Sequence, residues 1–168
     1  MKSAITYKQY KNQAGLLVLL PDEIFELIKK HISVHYPKEY GGVFVGKVEG
    51  TVAIIEMTMV SRQYYNTPVL FRRFSRFINK CLYRVFAQSK GDVIYLGEWH
   101  SHPNGKPNPS GTDINAMKNI AESKSVRIQT PLLMIVAYDG QIFNEQFYFF
   151  SCDKLIPYQK IIQQEEGA

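Results

Sequence analysis

Two short stretches, Gly97-Glu98-Trp99-His100-Ser101-His102-Pro103 and Pro109-Ser110-Gly111-Thr112-Asp113, leave little freedom in how the chain can fold around them. Val93 to Trp99 is short and mostly apolar, the pattern of a buried strand. If extended backbone continues to His102, then His100 and His102 project to one side, because strand side chains alternate with period 2. Pro103 to Pro109 is dense in Pro, Asn and Gly and is a turn-forming linker. Ser110-Gly111-Thr112-Asp113 then opens a helix expected over Ile114 to Glu122. Asp113 lies in its first turn, able to reach back to the strand end. Two imidazoles and one carboxylate suit zinc better than magnesium or calcium, which prefer oxygen shells. Three protein ligands also leave a fourth position open, which separates a catalytic zinc site from a structural one.

Each piece alone has a plainer reading. A lone His-x-His is commonly a surface pair. Ser110-x-x-Asp113 alone resembles a helix N-cap with an acidic first turn, although Asp is a poorer partner there than the Glu or Gln of a capping box. The combination of strand end, turn-rich linker and helix start carries the metal reading. The only two cysteines, Cys81 and Cys152, lie far from it, which argues against a thiolate-bound zinc. Their small number suggests a reducing, cytoplasmic compartment without a disulfide framework.

His100-Ser101-His102, seven residues, Ser110, two residues and Asp113 resemble the JAMM (MPN-plus) metalloprotease signature at every position. That family also has an upstream glutamate just before a glycine-rich strand. Pro37-Lys38-Glu39-Tyr40-Gly41-Gly42-Val43-Phe44-Val45-Gly46 looks like that segment, with Glu39 in the expected place. The resemblance covers about Pro21 to Phe150. Tyr95-Leu96-Gly97-Glu98-Trp99-His100-Ser101-His102-Pro103 and Phe71-Arg72-Arg73 look most like a small bacterial branch. Its members occur beside ubiquitin-activating-like and conjugating-like enzymes, including in CBASS anti-phage operons. The resemblance implies a single-domain α/β JAMM/MPN fold over residues 1–168, with a mixed central sheet flanked by helices and an architecture similar to cytidine deaminases. It implies a deubiquitinase-like zinc isopeptidase or peptidase. The substrate would be a ubiquitin-like modifier or a conjugated bacterial protein, in the CBASS setting a cGAS-like nucleotidyltransferase, presenting an extended C-terminal tail. An activating-like or conjugating-like operon partner is implied as well.

On this reading His100, His102 and Asp113 hold one Zn²⁺ per chain. Glu39, not a ligand, takes a proton from the attacking water and passes it to the leaving amine. Ser110 donates a hydrogen bond to the developing oxyanion. Glu98 is the rival base, since in an extended run it shares a face with both histidines; alternatively it fixes a histidine tautomer from outside the ligand set. His31 and His35, four apart in an expected helix, have no acidic motif beside them and read as helix-surface or helix-end residues. Trp99 belongs to the core or to the substrate groove.

The formal charge of +5 admits nucleic acid or an acidic protein as partner. Arg72, Arg73, Arg76, Lys80 and Arg84 form a local basic cluster, read as the solvated side of a helix over Phe71 to Lys90. Phe74, Phe77, Ile78, Cys81, Leu82 and Val85 form its expected buried face. No nucleic-acid partner is expected. Met1 to Tyr10 has no apolar core of a signal peptide, and no apolar stretch approaches the ~18–20 residues of a membrane span.

The remaining expectations follow the chain. Gly15 to Leu20 is a strand, and Pro21-Asp22-Glu23 starts a helix that stops at Pro37. Gly42 to Lys47 and Thr51 to Val60 form a hairpin about Glu49-Gly50. Gln63 to Leu70 is a loop and the candidate groove wall. Pro131 to Tyr138 and Gln141 to Phe150 form a hairpin turning at Asp139-Gly140. The core spans about 15–162, with a frayed tail over 163–168. An inactive MPN-type scaffold and a RadC-like DNA-associated protein are the rival readings. The latter family usually carries an N-terminal DNA-binding helical region, for which the short lead-in here leaves no room.

Overall fold

The expected strand at Val93 continues as extended backbone from Ile94 to Pro103 (β7) in the structure, a computed structural model that describes residues 5–162. Gly97, Trp99 and Ser101 are buried, while Glu98, His100 and His102 are half-buried on the opposite side. Alternation therefore gives β7 one face for the core and one for a site.

β7 is an interior strand, the fourth of nine, in a mixed sheet. Before it come β1 (Tyr7–Lys11), β2 (Leu17–Pro21), helix α1 (Asp22–His35), β3 (Gly41–Glu49) and β4 (Val52–Met59). A separate hairpin follows, β5 (Tyr64–Thr67) and β6 (Leu70–Arg73), then helix α2 (Ser75–Gln88). After β7 come α3 (Gly111–Ala121), β8 (Leu132–Tyr138), β9 (Phe143–Ser151), β10 (Lys154–Pro157) and β11 (Gln159–Ile161). The order across the sheet is β10-β9-β8-β7-β3-β4-β2-β1-β11. β7 runs parallel to β8 and antiparallel to β3; β2 and β4 form the other parallel pair.

Helices cover both faces. Ile24, Phe25, Ile28 and Ile32 of α1 pack with Phe44, Trp99, Met134 and Phe147. Ile78 of α2 packs with Val43 and Val45, and Met117 of α3 with Leu133 and Ile135, on the reverse side. Each buried side chain of this size contributes roughly 1.5–3 kcal/mol. That burial fixes α1 although Pro21 gives it no side-chain cap.

Two glycines let the central strands approach. A Cβ at Gly97 would lie 2.0 Å from the Leu132 carbonyl oxygen, and one at Gly42 would lie 2.8 Å from the Trp99 indole nitrogen. Trp99 is thereby a core residue, 1% exposed, with its indole N–H donating to Thr58 Oγ1 at 2.7 Å.

Several expectations are corrected. Gln63 to Leu70 is mostly a hairpin strand and its turn, and Phe71 to Arg73 continue β6 before α2 begins at Ser75. The α2 face is narrower than expected: Ile78 is buried, whereas Phe74 is 61% exposed. Phe77 is exposed too. Arg73 leaves the solvated cluster for a half-buried ion pair. The core begins before residue 15, because Tyr10 on β1 is buried. The hairpins about Gly50 and Asp139-Gly140 form as expected, Asp139 Oδ1 accepting from the amides of Gln141 and Ile142. The expectation for residues 163–168 lies outside the described residues. No helix among the described residues is long and apolar enough to cross a membrane.

Candidate metal centre

β7 delivers His100 and His102 to the sheet face shared with α3, and α3 delivers Asp113. Ser110 caps that helix. Its Oγ accepts from the Asp113 amide at 3.2 Å, and the Ser110 amide and hydroxyl donate to Asp113 Oδ2 at 2.6 and 2.8 Å. This is a complete capping box in spite of the short Asp side chain. It aims the other carboxylate oxygen at the strand: Asp113 Oδ1 lies 3.2 Å from His100 Nε2. The His102 Nδ1–H donates to the Lys106 carbonyl at 3.0 Å, which leaves Nε2 with a free lone pair.

The three donors converge. His100 Nε2 and His102 Nε2 are 3.0 Å apart, and His102 Nε2 lies 3.8 Å from Asp113 Oδ2. Tetrahedral ligands at ~2.0–2.1 Å from an ion stand about 3.3 Å from one another. Ligand atoms from all three residues lie within 4.8 Å of each other, so the trio could hold a metal ion. Burial alone would raise the Asp113 carboxyl, but the hydrogen bond and charge of His100 and the bonds from Ser110 hold it well below the usual carboxylate range. Burial lowers His102, with His100 adding to the effect and the Lys106 carbonyl and Asp113 opposing it. Both shifts favour the unprotonated, ligating forms.

The trio opens into a cleft of about 470 Å³. Glu39 lines it, half-buried, near enough to feel both His100 and Asp113. Burial pushes its carboxyl up to about 7; His100 opposes this and Asp113 adds to it. A carboxyl so placed can exchange a proton near neutrality. Pro68, Val69, Leu70 and Phe71 of the hairpin form another wall.

The model for prokaryotic homologs of the JAB domain matches residues 21–150. The chain belongs to this JAB-domain family. Among similar proteins is a "CD-NTase/cGAS isopeptidase" of Enterobacter hormaechei subsp. hoffmannii, 32% identical over 104 residues, or 60% of this chain and 56% of that one. Another of the same name, from Pseudomonas aeruginosa, is 30% identical over 108 residues, covering 64% and 67%. A protein of Sinorhizobium fredii named "Probable metalloprotease y4qB" is 27% identical over 123 residues, covering 71% and 75%. The matched part of this JAB domain thus spans little more than half of the Enterobacter protein. The solution structure of protein DSY2949 from Desulfitobacterium hafniense has the same fold, with a TM-score of 0.60 at 20% identity over 86% of this chain and 91% of that one.

All six expected site residues, Glu39, Glu98, His100, His102, Ser110 and Asp113, line this one cleft, but Glu98 is turned to other partners. It forms two hydrogen bonds with the Arg73 guanidinium, one at 2.9 Å, and accepts from Tyr95 at 3.2 Å. No bond joins Glu98 to a histidine, and the Lys106 carbonyl fixes the His102 tautomer instead. Both Glu98 carboxylate oxygens are thus already accepting hydrogen bonds, from Arg73 and Tyr95. Ser110 spends its hydroxyl on Asp113 here. His35 is the last residue of α1, as expected, and it also stacks on Tyr40 at 3.6 Å and meets the Tyr64 hydroxyl through Nε2 at 3.0 Å. Sequence reasoning missed Arg73 and the hairpin's grip on Glu39, both products of tertiary contact, and the local turn that brings the Lys106 carbonyl back to His102. The signals available for Arg73 were the cationic charge beside Phe71 and the family resemblance of Phe71-Arg72-Arg73.

Proposed function

We propose that this JAB domain is a zinc-dependent isopeptidase. It hydrolyses the amide bond after the C-terminal residue of a conjugated cGAS-like nucleotidyltransferase or of a ubiquitin-like modifier. The observation that carries this reading is the convergence of His100, His102 and Asp113 beside a half-buried Glu39 in one cleft. The names of the Enterobacter and Pseudomonas relatives support the substrate class. We further read the architecture as cytidine-deaminase-like, and an activating-like or conjugating-like enzyme as the operon partner.

His100, His102 and Asp113 would hold the zinc; when bound, it acidifies a water and polarises the scissile carbonyl. Glu39 accepts the proton that the water loses on attack. It then delivers that proton to the departing lysine nitrogen as the C–N bond breaks, leaving a carboxylate and an amine. Ser110 turns from Asp113 to donate to the carbonyl oxygen as charge develops. The hairpin wall offers an extended tail main-chain pairing and apolar contact.

Protein purified without added metal is expected to carry close to one zinc per chain, and His102→Ala none. The substrate for turnover is a CD-NTase whose C-terminal carboxyl is joined to the lysine of a fluorescent peptide. Glu39→Gln should keep zinc and lose about 10²–10⁴-fold in turnover. A well-folded wild type free of zinc would sink the metallopeptidase reading, and retained turnover in Glu39→Gln would remove Glu39 as base.

A further inference from the structure

Glu39 lies between α1 and β3, in a segment that belongs to no helix or strand. Its side chain can be aimed only as well as its own peptide units are held. On the sheet side the hold is indirect: the Tyr40 amide donates to Ser101 Oγ at 3.0 Å, and the Ser101 amide donates to the Tyr40 carbonyl at 2.8 Å. On the other side the hold is on Glu39 itself. Its amide donates to the Thr67 carbonyl at 2.8 Å, and its carbonyl accepts from Asn66 Nδ2 at 2.9 Å. Among the described residues, Asn66 is the one side chain hydrogen-bonded to the Glu39 main chain.

The hairpin that makes this grip is itself fixed. Its Tyr64 hydroxyl meets His35 Nε2, and because His35 Nδ1 donates to the His31 carbonyl at 2.7 Å, Nε2 is the acceptor in the neutral ring. Its Arg73 is paired with Glu98 on β7. Asn66 is thus a rigid donor, not a side chain on a free flap. Only an amide nitrogen serves there, since a carbonyl oxygen offers nothing to an acceptor. Catalysis is sensitive to a displacement of ~1 Å in a positioned group, which can cost about 10²-fold.

We infer that Asn66 is a positioning residue: its side-chain amide holds the Glu39 peptide so that the Glu39 carboxylate faces the His100–His102–Asp113 cluster. The inference rests on Glu39 being the base. It makes the β5–β6 hairpin a part of the proton-transfer apparatus as well as a groove wall.

Asn66→Asp tests it, being isosteric but presenting a carboxylate oxygen to the Glu39 carbonyl; Asn66→Ala is the second variant should the first not fold. In metal-free protein, hydrogen exchange at the Glu39 amide is expected to speed up at least about tenfold, with the urea midpoint little changed. On the CD-NTase–peptide conjugate, kcat should fall about 10–100-fold while KM stays within about twofold and zinc remains near one per chain. A raised KM with unchanged kcat would make Asn66 merely groove wall and overturn the inference. So would unchanged exchange at Glu39. If Glu39→Gln is dead while Asn66→Asp keeps its kcat, this inference alone fails; if Glu39→Gln keeps its kcat, the base reading fails with it.

Discussion

Removing the Arg73 guanidinium tests how firmly the hairpin is tied to the central strand. The Arg73 and Glu98 side chains are 19% and 20% exposed, and the pair is bidentate. Breaking a fully buried pair costs ~3–5 kcal/mol, because a charge is left without its partner. One-fifth exposure and the Tyr95 hydroxyl on Glu98 soften that here, so Arg73→Met should cost about 2 kcal/mol. Methionine keeps most of the aliphatic stem, which limits lost packing. Glu98→Gln should cost about 1–2 kcal/mol, since Arg73 retains a neutral acceptor. The double variant leaves no stranded charge and should recover about 1–2 kcal/mol relative to the sum of the singles. For a chain of this size ~2 kcal/mol corresponds to about 4–8 °C in Tm. Urea unfolding with a constant m-value gives the three differences. Additivity within about 0.5 kcal/mol would show that the pair is solvent-screened and that the hairpin is tied down by other contacts.

Two further predictions concern the cap and the far edge of the sheet. Ser110→Ala should cost ~1 kcal/mol through the lost N-cap and, by freeing Asp113, weaken metal binding about tenfold or more, read by competition with a zinc chelator. Glu145 accepts from Tyr10 at 2.8 Å and from Lys160 at 2.6 Å. Burial works against its carboxylate, but these bonds outweigh burial and hold its pKa below the ordinary value. A depressed folded-state pKa contributes stability above the unfolded value of ~4.3 that is lost as pH falls through the folded value. Urea midpoints of wild type and Glu145→Gln should therefore differ at pH 6 and converge below about pH 4; a constant gap would refute the linkage.

The parts of the site that are contiguous in sequence were legible in it. Period-2 alternation put Glu98, His100 and His102 on one side of β7, and Ser110-x-x-Asp113 marked the start of α3. Glu39 was visible only through family resemblance, because it reaches the cluster across some sixty residues of chain and no local pattern encodes that. The β5–β6 hairpin was hidden for a different reason. Its strands have four residues each, and Asn66-Thr67-Pro68 carries turn chemistry into them. Reading Phe71 to Arg73 into the following helix then placed Arg73 among solvated cations. The turn at Cys152-Asp153 was equally opaque: both residues adopt positive φ, at 49° and 57°, without the Asn-Gly or Asp-Gly that usually announces such a turn.

The base of the hairpin has a consequence for how such domains diversify. Buried Ser61 donates to the carbonyls of Gln63 and Phe74, and the Phe74 amide returns to Gln63, so the excursion is closed where it leaves the sheet. Its tip, by contrast, is Pro68 and Val69, the latter 83% exposed. Each doubling of an open loop adds only ~0.6 kcal/mol of closure entropy. Residues can therefore be gained or lost at the tip at small cost while the closed base, Asn66 and the reacting groups stay in register. Under the proposed function, target preference would be set at the tip and proton transfer below the base, in pieces of chain that can change separately.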